Sequence, residues 1–283
     1  MHKHLRVLIY CLLSIPAFAQ KPQPKAPLTI GVVDAIQSKV LGERRVLNIY
    51  LPDGYSAQDT TKYAVIYLLD GSIDEDFIHV AGLVQFSTFP WVNHIPKSIV
   101  VGITNVDRRR DFTYPTTIES DRQRNKTAGQ SAKFMAFIES ELQPYIEKEY
   151  RVSGSKTLIG QSLGGLLATE ILLKKPALFD KYIIISPSLW WDNGSLLKQD
   201  APILQAGFAR PTAVYIGVGK EGLTPGANPR VMEVDANLLA DKLKAGKNPK
   251  VSVHFDYLPQ EDHATIGHQA VSNAFRMLYP ASK

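Results

Sequence analysis

The chain has 283 residues, 45% of them hydrophobic and 21% charged, with a formal net charge of +5. That length suits one large α/β domain with a substantial core, and a mild positive balance without a basic helix or an aromatic–basic repeat gives a nucleic-acid partner no footing. The single cysteine, Cys11, excludes a disulfide framework and a zinc–thiolate centre.

The chain opens on a basic stretch holding Lys3 and Arg6, then an apolar run from Val7 to Ala19 that ends in Ala17-Phe18-Ala19. This is the pattern of a secretory leader, residues 1–19, cut after Ala19. The run is shorter than the roughly 20 residues of a membrane-spanning helix. Tyr10 stands before Cys11, where a lipoprotein leader needs a small residue. Cleavage removes Cys11, Lys3 and Arg6, so residues 20–283 carry +3 and no cysteine. The expectation is one exported domain, periplasmic or extracellular, with no membrane anchor once the leader is gone.

Residues 28–52 read as two β segments meeting at Leu41-Gly42-Glu43, and Pro52-Asp53-Gly54 ends the second. Short apolar strands follow at Tyr63–Leu69, Ser98–Thr104, Thr157–Gly160, Tyr182–Ser186, Thr212–Val218 and Val251–Leu258. Continuous apolar runs suit strands covered on both faces. Phe134, Phe137, Ile138, Leu142, Tyr145 and Ile146 follow helical spacing, with a break or kink expected at Pro144. Further helices are expected over Leu163–Lys175, Val231–Leu243 and Ala264–Leu278. Antiparallel strands at the start followed by strand–helix alternation predict a mostly parallel sheet with helices on both faces.

Gly160-Gln161-Ser162-Leu163-Gly164 fits G-x-S-x-G between a short strand and a helix. That is the setting of a nucleophile elbow, a turn so sharp that its flanking positions must be small. A tight strand–helix turn with an incidental serine is the alternative, and the strand–turn–helix context favours the nucleophile. A serine nucleophile needs a base, and in α/β-hydrolases the acid and then the histidine follow it along the chain. His79 and His94 precede Ser162, His254 lies within a strand and His268 within a helix. His263, just past the last strand, is the candidate base. Glu221 is the first carboxylate after Thr212–Val218 and the candidate acid, ahead of Glu233 and Asp235 at a helix start. The main-chain amides of Leu163 and Ser72 are the candidate oxyanion donors, Ser72 lying on the loop Asp70-Gly71-Ser72.

Leu68-Leu69-Asp70-Gly71, Asn105 to Thr113, Gly160 to Gly165, Ser186-Pro187-Ser188-Leu189-Trp190-Trp191 and Glu261 to Thr265 resemble the putative-esterase (esterase-D-like) family, above all its siderophore-esterase branch. The resemblance covers residues 30–280 and implies an α/β-hydrolase fold, a serine carboxylic-ester hydrolase, and a small-molecule ester substrate. Siderophore trilactones and feruloyl or acetyl esters all fall within the family's range. Some members use Glu as the acid, some Asp, and some look like Ser–His dyads, so a triad and a dyad both stand.

Trp190 and Trp191 follow a strand end, where they line a pocket or pack in the core. Arg108, Arg109 and Arg110 meet an anionic substrate or pair with Asp107 and Asp111. Gly217-Val218-Gly219-Lys220-Glu221-Gly222 also fits G-x-G-x-x-G, but Pro225 and Pro229 follow it where a dinucleotide fingerprint needs a helix. No metal-ligand or P-loop motif is present, so no cofactor and no metal are expected. A non-catalytic binding protein on the same fold is the alternative.

Overall fold

The computed structural model describes residues 25–224 and 228–279; the expected leader and its cleavage point lie outside them. Two strands, β1 (Gly31–Ser38) and β2 (Glu43–Tyr50), pair antiparallel through a turn closed by the Gly42 amide on the Ser38 carbonyl. Six more follow: β3 (Tyr63–Leu68), β4 (Ser98–Ile103), β5 (Val152–Gln161), β6 (Lys181–Ile185), β7 (Thr212–Gly219) and β8 (Val251–Leu258). They form one eight-stranded sheet in the order β1-β2-β4-β3-β5-β6-β7-β8. The strands from β4 to β8 are parallel, and β2 joins β4 antiparallel. This is the α/β-hydrolase fold, with the antiparallel start that the sequence predicts.

Two helical layers cover the sheet. Alternation along β3 sends Tyr63, Val65 and Tyr67 to one face and Ile66 and Leu68 to the other. The first face packs against α4 (Ser131–Phe137), α5 (Gln143–Glu149), α6 (Leu163–Lys174) and α7 (Met232–Ala245) through Phe134, Ile146, Leu167 and Leu239. The second packs against α1 (Phe77–Ser87) and α8 (Ile266–Leu278) through Val80, Val84, Val271 and Phe275. Both faces of the central strands are therefore dry, which is why those strands read as unbroken apolar runs. No helix among the described residues is long and apolar enough to cross a membrane.

Among the elements that differ from the sequence expectation, three have a plain physical reason. Helix α1 has no counterpart in that expectation. Its buried stripe of Phe77, Val80, Ala81 and Val84 has helical spacing, but Ile78 and Phe86 on the exposed side blur the pattern. The full break allowed for at Pro144 does not occur: the helix runs on from α4 to α5, and the irregularity there is a π turn at Ile138–Leu142, just before the proline, which has no amide hydrogen to donate. Strand β5 begins five residues before the expected Thr157, because Ser153 and Gly154 are exposed and polar and carry no apolar signal.

The turn after β5 leaves no room at its first glycine. A Cβ on Gly160 would sit 2.4 Å from the Gly164 carbonyl oxygen, a clash with backbone that cannot yield without opening the turn. Gly160→Ala is expected to cost about 1–3 kcal/mol or more of stability and to take with it the ester hydrolysis that the sequence leads one to expect. Thermal unfolding and ester hydrolysis measured on the same preparation test this.

Candidate active site

Ser162 occupies the turn between β5 and α6 with φ 59° and ψ −118°. Non-glycine residues rarely hold that conformation, and it persists only where the surroundings enforce it. Here the Ser162 amide donates to the Ile185 carbonyl at 3.0 Å, and the Ser162 carbonyl accepts from the amides of Leu166 at 2.9 Å and Ser188 at 3.0 Å. The serine is thus pinned by main chain on β6, on the segment after β6 and on the first turn of α6. The helix points its N-terminus, and the positive end of its dipole, at the space above the hydroxyl.

The neighbouring loops bring two side chains to this point. His263 lies between β8 and α8, and its Nε2 is 3.0 Å from Ser162 Oγ. Its Nδ1 is 2.6 Å from Oε2 of Glu221, which follows β7. The loop is held on both sides. Gln161 Nε2 donates to the His263 carbonyl at 2.7 Å, and the Asp262 carboxylate accepts the amides of Ala264 and Thr265 at 2.8 and 3.0 Å. The Glu221 side chain is only 3% exposed, against 47% for His263. Burial alone would push its carboxyl up, but hydrogen bonds from His263 and Ser186, with the Gly219 amide, outweigh burial and hold it below the usual carboxylate value. Glu221 stays ionised and fixes the Nδ1–H tautomer, which leaves Nε2 free to accept the Ser162 proton.

Glu233 and Asp235, the other acids near this loop, do not reach the imidazole. Glu233, in the first turn of α7, accepts the amides of Glu221 at 2.8 Å and Gly222 at 3.0 Å, so it anchors the backbone of the acid loop. Asp235 is buried against Arg230. His268 faces His79, with Nδ1 and Nε2 2.8 Å apart, and makes no hydrogen bond to Ser162, His263 or Glu221 among the described residues.

The amides of Leu163 and Ser72 donate to no other group among the described residues. Ser72's orientation has a cause far away in sequence. Asn48 Nδ2, on β2, donates to the Gly71 carbonyl at 2.8 Å. In a trans peptide the C=O and the following N–H point in opposite directions, so fixing one aims the other. Gly71 itself lies so close to β4 that a Cβ there would sit 2.3 Å from Gly102 Cα. Neither Asn48 nor Gly102 carries a motif, and only the folded sheet brings them beside the loop.

The candidate substrate contacts divide. Trp190 lines a cleft of about 290 Å³ together with Ser162, Ser188, Leu223, Met232 and His263. Trp191 does not line it: the ring is buried and its Nε1 donates to the Tyr114 carbonyl at 2.8 Å. The arginines are also engaged elsewhere. Arg108 grips the Asp70 carboxylate with two bonds of 2.6 and 2.8 Å and reaches the Gln161 carbonyl at 3.3 Å. Arg110 is held by Glu43 and Asp111, and Arg109 by Asn125. Asp107 caps α2 (Arg108–Phe112) by accepting the Arg110 amide, so it is not an ion-pair partner as the sequence suggests. Arg108 and Asp70 brace the Ser72 loop against the serine turn. A larger concavity of about 700 Å³, lined by Asp180, Lys181 and Lys250, lies at the opposite ends of the strands and contains no part of the relay.

Comparison with known proteins gives concordant findings. The family model described as Putative esterase matches residues 38–268. The chain is 32% identical over 169 residues to the ferri-bacillibactin esterase BesA of Bacillus subtilis, covering 56% of this chain and 58% of that protein. It is 42% identical over 74 residues to the siderophore enterobactin esterase of Emericella nidulans, covering 25% and 24% of the two chains. The matched stretches thus span less than two thirds of these relatives. Among solved structures, an IroE-like serine hydrolase from Shewanella oneidensis superposes with a TM-score of 0.77 at 32% identity, over 89% of this chain and 82% of that one. The BES protein from Bacillus cereus gives 0.77 at 28% identity, over 92% and 99%.

Proposed function

The chain belongs to the putative-esterase family, a family of serine carboxylic-ester hydrolases, and from that premise we propose that it is an exported serine esterase that works through an acyl-enzyme on siderophore-type ester bonds. One observation carries the mechanism: Ser162, His263 and Glu221 form a continuous hydrogen-bonded relay that opens on a cleft. His263 takes the proton of Ser162 as the hydroxyl attacks the ester carbonyl. The tetrahedral oxyanion settles between the amides of Leu163 and Ser72. His263 returns the proton to the departing alcohol, and water then clears the acyl group by the same steps in reverse.

The substrate reading rests on the names of the relatives and on the cleft wall. Trp190, Leu223 and Met232 give the cleft an apolar lining that suits an aromatic ring beside the ester. The leader-like pattern of residues 1–19 supports the export reading. Turnover of ferric enterobactin, ferric bacillibactin, methyl ferulate and p-nitrophenyl acetate, compared as kcat/KM, tests the substrate. The proposal predicts that a ferric trilactone leads. A preference for methyl ferulate by tenfold or more would replace it with a feruloyl esterase.

The pH dependence follows from the relay. A protonated His263 cannot accept the Ser162 proton, so kcat/KM falls on the acid side. Glu221 is held below the usual carboxylate value, so its carboxylate adds no second ionisation to a limb that depends on a neutral imidazole. The acid limb is expected to follow a single ionisation with unit slope. A slope of two in a pH–rate profile would contradict this assignment.

A further inference from the structure

Ser188 presents a second hydroxyl to the reacting atom. Its Oγ lies 3.3 Å from Ser162 Oγ, its residue is only 2% exposed, and its side chain nevertheless lines the cleft. Among the described residues Ser162 Oγ is the one hydrogen-bond partner of this hydroxyl. The Ser188 amide donates to the Ser162 carbonyl at 3.0 Å, so main chain and side chain of one residue grip the nucleophile from the same side.

A proton count sets the direction of that bond. A serine hydroxyl has one proton and two lone pairs. Glu221, as a carboxylate, accepts at Nδ1 of His263 and makes Nε2 the acceptor for the Ser162 proton. Ser162 therefore has no proton left for Ser188, and the bond between the two hydroxyls runs from Ser188 O–H to Ser162 Oγ.

We propose that Ser188 is a catalytic residue, whose hydroxyl donates to Ser162 Oγ and stabilises the negative charge that this atom gains as it loses its proton. The inference rests on Ser162 being the nucleophile. In the resting enzyme the bond is one between neutral groups and is long. As His263 removes the proton, the acceptor becomes alkoxide-like, and a hydrogen bond to a charged oxygen is roughly twice as strong. That is stabilisation of the transition state in excess of the ground state, which raises kcat. Once the Ser162 Oγ–acyl bond has formed, the oxygen is an ester oxygen and accepts poorly. When that bond breaks in deacylation, Oγ regains the charge, takes the proton back from His263, and meets Ser188 again. Both halves of the cycle use the same donor, and no proton leaves Ser188.

The test is Ser188→Ala and the isosteric Ser188→Cys, measured beside Ser162→Ala with p-nitrophenyl acetate and with diethyl p-nitrophenyl phosphate, each variant checked by circular dichroism. Ser188→Ala is expected to lose about 10–100-fold in kcat, the usual worth of a hydrogen bond to a charged group, with KM within about twofold. The rate of phosphorylation of Ser162 should fall by a similar factor. Ser188→Cys, whose S–H is a weak donor, should lie between Ser188→Ala and wild type. The position of the acid limb should not move, since His263 and Glu221 are untouched. Wild-type kcat in both folded Ser188 variants, with Ser162→Ala inactive, would overturn the role of Ser188 and leave the nucleophile standing. A loss confined to KM would make Ser188 a substrate contact only and overturn the proposal. Activity retained in Ser162→Ala but abolished in Ser188→Ala would overturn both readings and make Ser188 the nucleophile.

Discussion

Ser162→Ala is expected to lower kcat for ester hydrolysis by about 10⁴–10⁶-fold, the range seen when a serine nucleophile is removed from a working relay. Two facts make the effect specific to chemistry. Among the described residues the hydroxyl bonds only His263 and Ser188, and the contacts that hold the turn come from main chain that alanine preserves. The φ of 59° is enforced by those contacts and remains in the variant. Its thermal midpoint should therefore stay within a few degrees of wild type, and substrate should still bind. A variant that melts normally and retains more than a tenth of the wild-type rate would remove Ser162 from the mechanism.

Glu221→Gln is the second large effect, and it separates a triad from a dyad. Glutamine keeps the shape but not the charge. Its amide cannot stabilise the imidazolium, and with its NH₂ toward Nδ1 it favours the tautomer that puts a proton on Nε2, where Ser162 needs an acceptor. The expected loss in kcat is about 10⁴-fold, as for the corresponding substitution in other relays. The Ser186 hydroxyl and Gly219 amide still meet the side chain, and Glu233 still holds the loop, so the fold should survive. If a Ser–His dyad operated instead, with Glu221 merely nearby, the loss would be within about tenfold. Steady-state kinetics on Glu221→Gln and Glu221→Ala distinguish the two, because the dyad predicts small effects from both.

Much of this was legible because of one property of parallel sheets: the loops after successive strands emerge at the same edge. Ser162 after β5, Glu221 after β7 and His263 after β8 needed only their strands to be recognised to be placed together, and those strands are continuous apolar runs. The turn at Ser162 was legible for a related reason, since its steric demand falls on residues adjacent in sequence. What could not be read depends on distant partners. Asn48 aims the Ser72 amide from β2, across more than twenty residues of chain. Arg108 sits beside Asp107 and Asp111 in sequence, but its carboxylate partner is Asp70 on another loop. Adjacent tryptophans look equivalent in sequence, and the folded loop after β6 buries one and leaves the other on the cleft. Helix α1 was hidden because apolar residues on its outer side erase the contrast between its faces.

The whole mechanism depends on Ser162 Oγ being the atom that His263 makes nucleophilic. Inactivation by diethyl p-nitrophenyl phosphate, followed by intact-protein and peptide mass spectrometry, addresses it directly. One diethylphosphoryl group per chain is expected, on Ser162, with loss of activity in step with labelling, and labelling slowed by orders of magnitude in His263→Ala. Complete inactivation with the label on another residue, or equal labelling rates in wild type and His263→Ala, would contradict it.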